Sequence, residues 1–108
     1  MGFDQRTQEK LQAKAQVLKA MAHPSRLFIV DELAKGERCV CELTAMIGAD
    51  MSTVSKHLAV LKNAGIIADE KRGAMVYYRL RARCLQSLFA CVESMLQTKA
   101  REQVELVK

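Results

Sequence analysis

The hydrophobic spacing of this chain changes twice, and those changes limit the folds open to it. Apolar residues recur at helical intervals up to Gly65, give way to short β-favouring runs between Ile66 and Leu80, and return to helical intervals after Cys84. Intervals of three and four predict amphipathic helices, and short runs rich in Ile, Val and Tyr predict strands. The sequence therefore predicts a mainly α-helical fold with one small β-hairpin.

Local start and stop signals divide the helical part into four segments. The first runs from Gln5 to Ala22, and Pro24 opens the second because proline is tolerated in the first turn of a helix. Glycines are expected to end the later segments, at Gly36, Gly48 and Gly65. We expect the third helix at about 40–47 and the fourth to be capped by the side chain of Ser52. His23 is expected to cap the second helix.

The third and fourth helices, with the hairpin that follows them, predict a winged helix-turn-helix. The helix-turn-helix is expected at about residues 40–64, the wing at about 66–80 with a turn at 72–74, and a C-terminal dimerisation helix at about 84–103. With 108 residues and 50% hydrophobic composition, the chain supports one core, so residues 1–108 are expected to form a single domain.

Charge favours an anionic partner. Lys and Arg number 17 against 12 Asp and Glu, which gives a net charge of +5. Such a balance favours double-stranded DNA as the partner of a helix-turn-helix, although other basic proteins share it. No apolar run reaches the roughly 20 residues of a membrane span and no signal peptide is evident, so we expect a cytoplasmic protein with no membrane partner. No nucleophile, base and orienting group occur together, so no enzyme is expected.

The fourth helix and the wing supply the candidate DNA contacts. Its apolar positions, Val54, Leu58 and Leu61, face the core and leave polar side chains free to donate to phosphates or base edges. Lys56 is the strongest candidate because it is charged. For the others a solvated surface or a capping role is the alternative, and for His57 it is packing. The predicted contacts are Ser52, Thr53, Ser55, Lys56 and His57 on the helix and Lys71 and Arg72 on the wing.

The first and last helices are expected to form a homodimer interface. Each carries an apolar stripe that a small winged core does not fully cover, and two-fold symmetric dimers commonly bind operators. Packing of both stripes within one chain is the alternative. The stripes consist of Leu11, Ala15 and Leu18 in the first helix and Leu85, Leu88, Phe89, Val92 and Leu96 in the last.

The four cysteines of the chain are candidates for metal or metalloid binding. Cys39 and Cys41 stand one residue apart just before the helix-turn-helix, and soft thiolates bind soft metal or metalloid centres. Joint capture of both sulfurs would distort the start of the third helix, because positions i and i+2 of a helix point to different faces. The alternative is that both are small buried hydrophobic residues. For Cys84 and Cys91, packing in the core or in an interface is the preferred interpretation.

Several blocks in this order resemble the ArsR/SmtB family of bacterial metal- and metalloid-responsive repressors. The resemblance covers nearly the whole chain. The blocks are Val17 to Leu27 with its His23-Pro24, Cys39-Val40-Cys41-Glu42-Leu43, Ser52 to Leu58, Leu61 to Ile67 and Val76-Tyr77-Tyr78-Arg79-Leu80.

This resemblance implies a sensor of As(III) or Sb(III). Arsenic-sensing members carry Cys-Val-Cys before the recognition helix, and Cys39 and Cys41 match it. Many of them have a third cysteine where this chain has Thr44, so the third ligand is open, with Cys84 as the first candidate. The implied function is a repressor that releases its operator when the metalloid binds these thiolates. The alternative is a repressor of the same fold that is switched by cysteine oxidation.

Overall fold

The computed structural model describes residues 2–107 and contains five helices and three strands within that range. In chain order they are α1 (Gln5–Met21), α2 (Pro24–Lys35), β1 (Arg38–Cys39), α3 (Val40–Ile47), α4 (Met51–Asn63), β2 (Ile67–Arg72), β3 (Met75–Leu80) and α5 (Leu85–Val107). This order confirms the winged helix-turn-helix.

Short-range signals set most of the helix ends. Pro24 is the first residue of α2, and the imidazole Nδ1 of His23 accepts a hydrogen bond from the Ser25 N–H at 3.0 Å, which confirms the predicted cap. Gly48 ends α3 in the left-handed conformation (φ 76°), where its N–H donates to the Thr44 carbonyl. Only glycine adopts this conformation without strain from a Cβ atom.

The prediction that Ser52 caps α4 is wrong. Asp50 is the cap, because its Oδ1 accepts from the Thr53 N–H at 2.7 Å, and Ser52 is the second residue of the helix. The hydroxyl of Ser52 instead donates to the same carboxylate at 2.8 Å. Both hydrogen bonds stabilise the charged carboxylate and lower the pKa of Asp50 to about 2.

The sheet contains one strand more than the predicted hairpin. β3 is its central strand, paired antiparallel with β2 on one side and with the short β1 on the other. β2 continues to Arg72, so the turn consists of Gly73 and Ala74 and not of residues 72–74. Strand β1 pairs Cys39 with Tyr77, which ties the first thiol directly to the wing.

The core lies where α2, α3, α4 and the sheet meet. Its nine fully buried large side chains are Ile29, Val30, Leu33, Leu43, Val54, Leu58, Leu61, Ile66 and Ile67. The three residues expected to anchor the fourth helix are all among them. Helix α4 is therefore held firmly against the core by its inner face.

The first and last helices contribute little to this core. Only Ala20 and Met21 of α1 are buried, and between residues 85 and 106 of α5 only Leu85 is buried. The Cα radius of gyration is 17.2 Å, whereas a compact chain of this length has about 13 Å. Both helices thus extend away from the core and leave apolar side chains exposed. No helix within residues 2–107 is long and apolar enough to cross a membrane.

Candidate DNA-binding surface and thiol site

Helix α4 presents a polar face opposite its buried one. Ser52, Thr53, Ser55 and Lys56 are all exposed near its N-terminus. The sequence placed them on the faces not taken by the three buried residues, and the structure has them there. A helix N-terminus with exposed hydroxyls and a cation suits both phosphates and base edges in a major groove.

His57 differs from these four because it packs against helix α2. Its ring centroid lies 4.4 Å from that of His23, and its Nδ1 lies 3.4 Å from Nη1 of Arg26. Burial first, and then the positive charges of His23 and Arg26, lower the pKa of His57. The sequence has no His or acidic partner for His57 at helical spacing, but the tertiary structure brings His23, 34 residues earlier in the chain, against its ring. This geometry favours the packing alternative.

The two predicted wing contacts have different surroundings. Lys71 is exposed and forms no ion pair within residues 2–107. The guanidinium of Arg72 instead forms ion pairs with Glu37 at 2.8 Å and Glu70 at 2.9 Å. Lys71 is therefore available to DNA directly, whereas Arg72 must first exchange its partners.

The two adjacent thiols occupy different environments. Cys39 is the second residue of β1 and the N-cap of α3, and its side chain is buried, with 5% of the residue exposed. Cys41 lies in the first turn of α3 and is exposed. Both thiols therefore lie at the start of α3, as expected, but only Cys41 is open to solvent.

Glu42 connects Cys39 to the start of α3. Its Oε1 accepts a hydrogen bond from the Cys39 N–H at 3.1 Å, which is the return half of a capping box. Hydrogen bonds from the backbone and side chain of Cys39, and the positive charge of Arg38, lower the pKa of Glu42. The Arg38 guanidinium lies 3.7 Å from Glu42 and 3.9 Å from Glu32. A displacement of the Cys39 backbone would therefore disturb both the cap and this ion-pair group.

Cys84 and Cys91 are exposed in the single chain, so of the two expected environments packing in the core is wrong, whereas packing in an interface stays a prediction. Within the described range, no three His, Cys, Asp or Glu side chains are grouped so that they could hold a metal ion. Cys84 is thus not assembled with Cys39 and Cys41. A three-coordinate thiolate centre is not preformed there.

An apolar groove lies between α1, α2 and α5. It measures about 690 Å³ and is lined mainly by aliphatic and aromatic side chains. Leu18 is 54% exposed, Val92 44% and Leu96 62%. Leu85 and Phe89, from the predicted stripe of the last helix, pack on the core of their own chain instead. The rest of that stripe stays uncovered in the single chain.

Comparison with known proteins agrees with this architecture. The profile described as "Bacterial regulatory protein, arsR family" matches residues 23–69, which run from the cap of α2 into the wing. The arsenical resistance operon repressor of Escherichia coli is 33% identical over 94 residues, with 80% of each chain covered. The chain belongs to the ArsR family. This is a family of transcriptional regulators and not of enzymes.

Two further relatives extend the comparison. The transcriptional repressor SmtB of Mycobacterium tuberculosis is 42% identical over 72 residues, which cover 67% of this chain and 53% of that one. The homodimeric winged helix-turn-helix DNA-binding domain Mb0332 of Mycobacterium bovis superimposes with a TM-score of 0.78 at 33% identity, covering 94% of both chains. The chain spans about half the length of the first curated relatives that it matches.

Proposed function

We propose that this ArsR-family protein is a cytoplasmic, homodimeric transcriptional repressor. It binds double-stranded operator DNA while its thiols are free. It releases the operator when As(III), or the chemically similar Sb(III), binds Cys39 and Cys41. The proposed DNA contacts are the predicted residues other than His57, which packs against α2: Ser52, Thr53, Ser55 and Lys56 on α4, and Lys71 and Arg72 on the wing. Lys56 and Lys71 are freely exposed, and Arg72 is initially ion-paired. The arsenical resistance repressor among its relatives supports this class of inducer.

Dimerisation is supported by the uncovered apolar faces of α1 and α5. A monomer would leave Leu18, Val92 and Leu96 substantially in water, and burial of a large apolar side chain stabilises by roughly 1.5 to 3 kcal/mol. The homodimeric Mb0332 domain superimposes along nearly the whole chain, end helices included. A dimer also presents two recognition helices on one two-fold axis, as operator half-sites require.

The proposed switch depends on the buried position of Cys39 at the start of α3. Both sulfurs have to reach one arsenic atom, and Cys39 is buried while Cys41 is exposed. We expect capture to draw the Cys39 side chain out of its buried position and so to strain the hydrogen bond between the Cys39 N–H and Glu42 at the start of α3. Because α3 packs against α4, the change reaches the recognition helix. Each As–S bond forms as a thiol proton and an arsenic hydroxyl leave together as water, without oxidation or reduction.

The third arsenic position does not require a protein ligand. After two exchanges the remaining hydroxyl still occupies it. Thr44 has no thiol to offer, and its hydroxyl donates to the Val40 carbonyl at 2.7 Å. Cys84 completes the centre only if α5 or its preceding turn moves. The dithiol form is therefore the proposed sensor state, and Cys84 is a proposed third ligand only after such a movement.

The experiment measures fluorescence anisotropy of a labelled duplex that this protein has selected from random sequence. Arsenite is titrated against the wild type and the four single Cys→Ser variants. We expect Cys39→Ser and Cys41→Ser to bind DNA normally and to lose the response, and Cys91→Ser to retain it. Retained release in Cys41→Ser would refute the dithiol mechanism. Complete loss in Cys84→Ser would add that residue to the ligands.

Oxidation is the second candidate signal, favoured by the exposure of three of the four thiols, Cys41, Cys84 and Cys91. Exposed cysteines are accessible to oxidants and to disulfide exchange. Hydrogen peroxide, added to the same complex without arsenite and later reversed with dithiothreitol, tests this alternative. Release by peroxide together with no response to arsenite would select the redox switch.

A further inference from the structure

The guanidinium of Arg72 at the end of β2 contacts three side chains, although 44% of the Arg72 side chain stays exposed. Its Nη1 lies 2.8 Å from one carboxylate oxygen of Glu37, and its Nη2 donates to the other at 3.1 Å. The same Nη2 donates to Glu70 at 2.9 Å, and the Cζ atom lies 4.8 Å from the centroid of the Tyr77 ring. We refer to Glu37, Glu70 and Tyr77 as the Arg72 cage.

The cage uses the groups with which arginine would bind DNA. A guanidinium binds a carboxylate and a phosphate through the same planar pair of N–H donors, so the two partners compete. The carboxylates more than neutralise the wing arginine, and they raise its pKa further above an already high value. Arg72 therefore offers the full Nη1 and Nη2 pair to a phosphate only after Glu37 and Glu70 release these groups.

The cage also adjoins the first sensor thiol. Strand pairing sets Cys39 opposite Tyr77 on one side of β3 and Glu70 opposite Tyr77 on the other. Directly paired residues of an antiparallel sheet point to the same face and contact each other. Glu37 lies two residues before Cys39 in the chain. Glu37 therefore belongs to the segment that carries Cys39, and Tyr77 and Glu70 lie on the other two strands of the same sheet.

We propose that the Arg72 cage is an autoinhibitory contact that withholds the wing arginine from DNA. This rests on the proposed function, since it assumes operator binding. Glu37, Glu70 and Tyr77 are then positioning residues, which act on DNA only through Arg72.

Glu37→Gln tests the cage without arsenite. The amide removes one negative partner, so we expect the selected duplex to bind about two- to fivefold more tightly, the range that an exposed ion pair supports. The slope of log affinity against log salt should steepen by about 0.9, because one further phosphate is neutralised. Thermal unfolding of the variant should match that of the wild type, which excludes a folding defect.

A double-mutant cycle separates the cage from the loss of a negative charge near DNA. In an Arg72→Gln background, Glu37→Gln should change neither affinity nor salt slope, because no guanidinium remains to be released. An equal gain in both backgrounds would overturn the cage. Tyr77→Leu, which removes the ring from Arg72, should behave like Glu37→Gln in the wild-type background and have no effect in the Arg72→Gln background.

The cycle is measured without arsenite. It therefore decides whether the cage withholds Arg72 even if the wild type does not respond to arsenite and the proposed inducer fails.

Discussion

Val92→Glu is expected to separate the dimer into folded monomers. Val92 lies in the first half of α5 on the wall of the apolar groove, between Leu88 and Leu96 at helical spacing, and is 44% exposed. If a second copy covers this groove, the valine becomes buried in the dimer. A carboxylate at the same position would then lose its water without gaining a partner.

The expected magnitude has two parts. Covering the exposed half of a valine contributes about 1 kcal/mol, since full burial of such a side chain contributes roughly 1.5 to 3 kcal/mol. Two-fold symmetry doubles this to about 2 kcal/mol per dimer, and each unpaired buried carboxylate adds a penalty of several kcal/mol. A total above about 4 kcal/mol raises the dissociation constant at least a thousandfold. Salt should not restore the dimer.

Sedimentation equilibrium between about 0.1 and 100 μM measures this dissociation constant. Ser94→Glu is the matched control, because it introduces the same charge two residues away, on the side of α5 that does not line the groove. Thermal unfolding monitors the core of each variant. A wild-type monomer throughout this range, or a Val92→Glu protein that dimerises as tightly as Ser94→Glu, would refute the assignment of the groove to a second copy.

Three further predictions concern α4. Lys56→Ala should weaken operator binding and reduce the salt slope by about 1 with no loss of thermal stability, and an unchanged slope would remove this lysine from the DNA contacts. Asp50→Ala should lower the melting temperature because the Thr53 N–H loses its acceptor, whereas Ser52→Ala should not; equal losses would reject the observed cap. Burial lowers the pKa of His57, so the unfolded chain binds its proton more readily. The contribution of His57 to the free energy of unfolding is therefore fully present above pH 6.5, the ordinary pKa of histidine, and is lost as the pH falls below that value. His57→Gln should reduce the loss of stability between pH 7 and pH 5, measured by urea unfolding.

The sequence predicted most of the secondary structure because its signals act over a few residues. Pro24 and Gly48 act through their own backbone geometry, and α2 and α3 have the predicted bounds as a result. The cap of α4 was assigned wrongly because Asp50 and Ser52 are both good capping residues. Only the hydrogen bond from the Thr53 N–H distinguishes them.

The candidate site was predicted where a single element provides it. Helical periodicity was sufficient to place Lys56 on the exposed face of α4, opposite Leu58 and Leu61. For His57 it was insufficient, because the partner belongs to another helix. Exposure of Cys84 and Cys91 was also not predicted, since hydrophobic spacing does not show which face of a terminal helix the core covers.

By itself, the sequence determined the order of the helices and of the two wing strands β2 and β3, the segment that carries the two thiols and the charge that favours DNA. These follow from local backbone preferences and composition, which act before any distant contact forms. Only the tertiary structure decided that Cys39 lies in a strand of the wing sheet and that Arg72 reaches Glu37, 35 residues away. Such contacts depend on how α2, the sheet and α4 pack around one core, and no spacing along the chain encodes that arrangement.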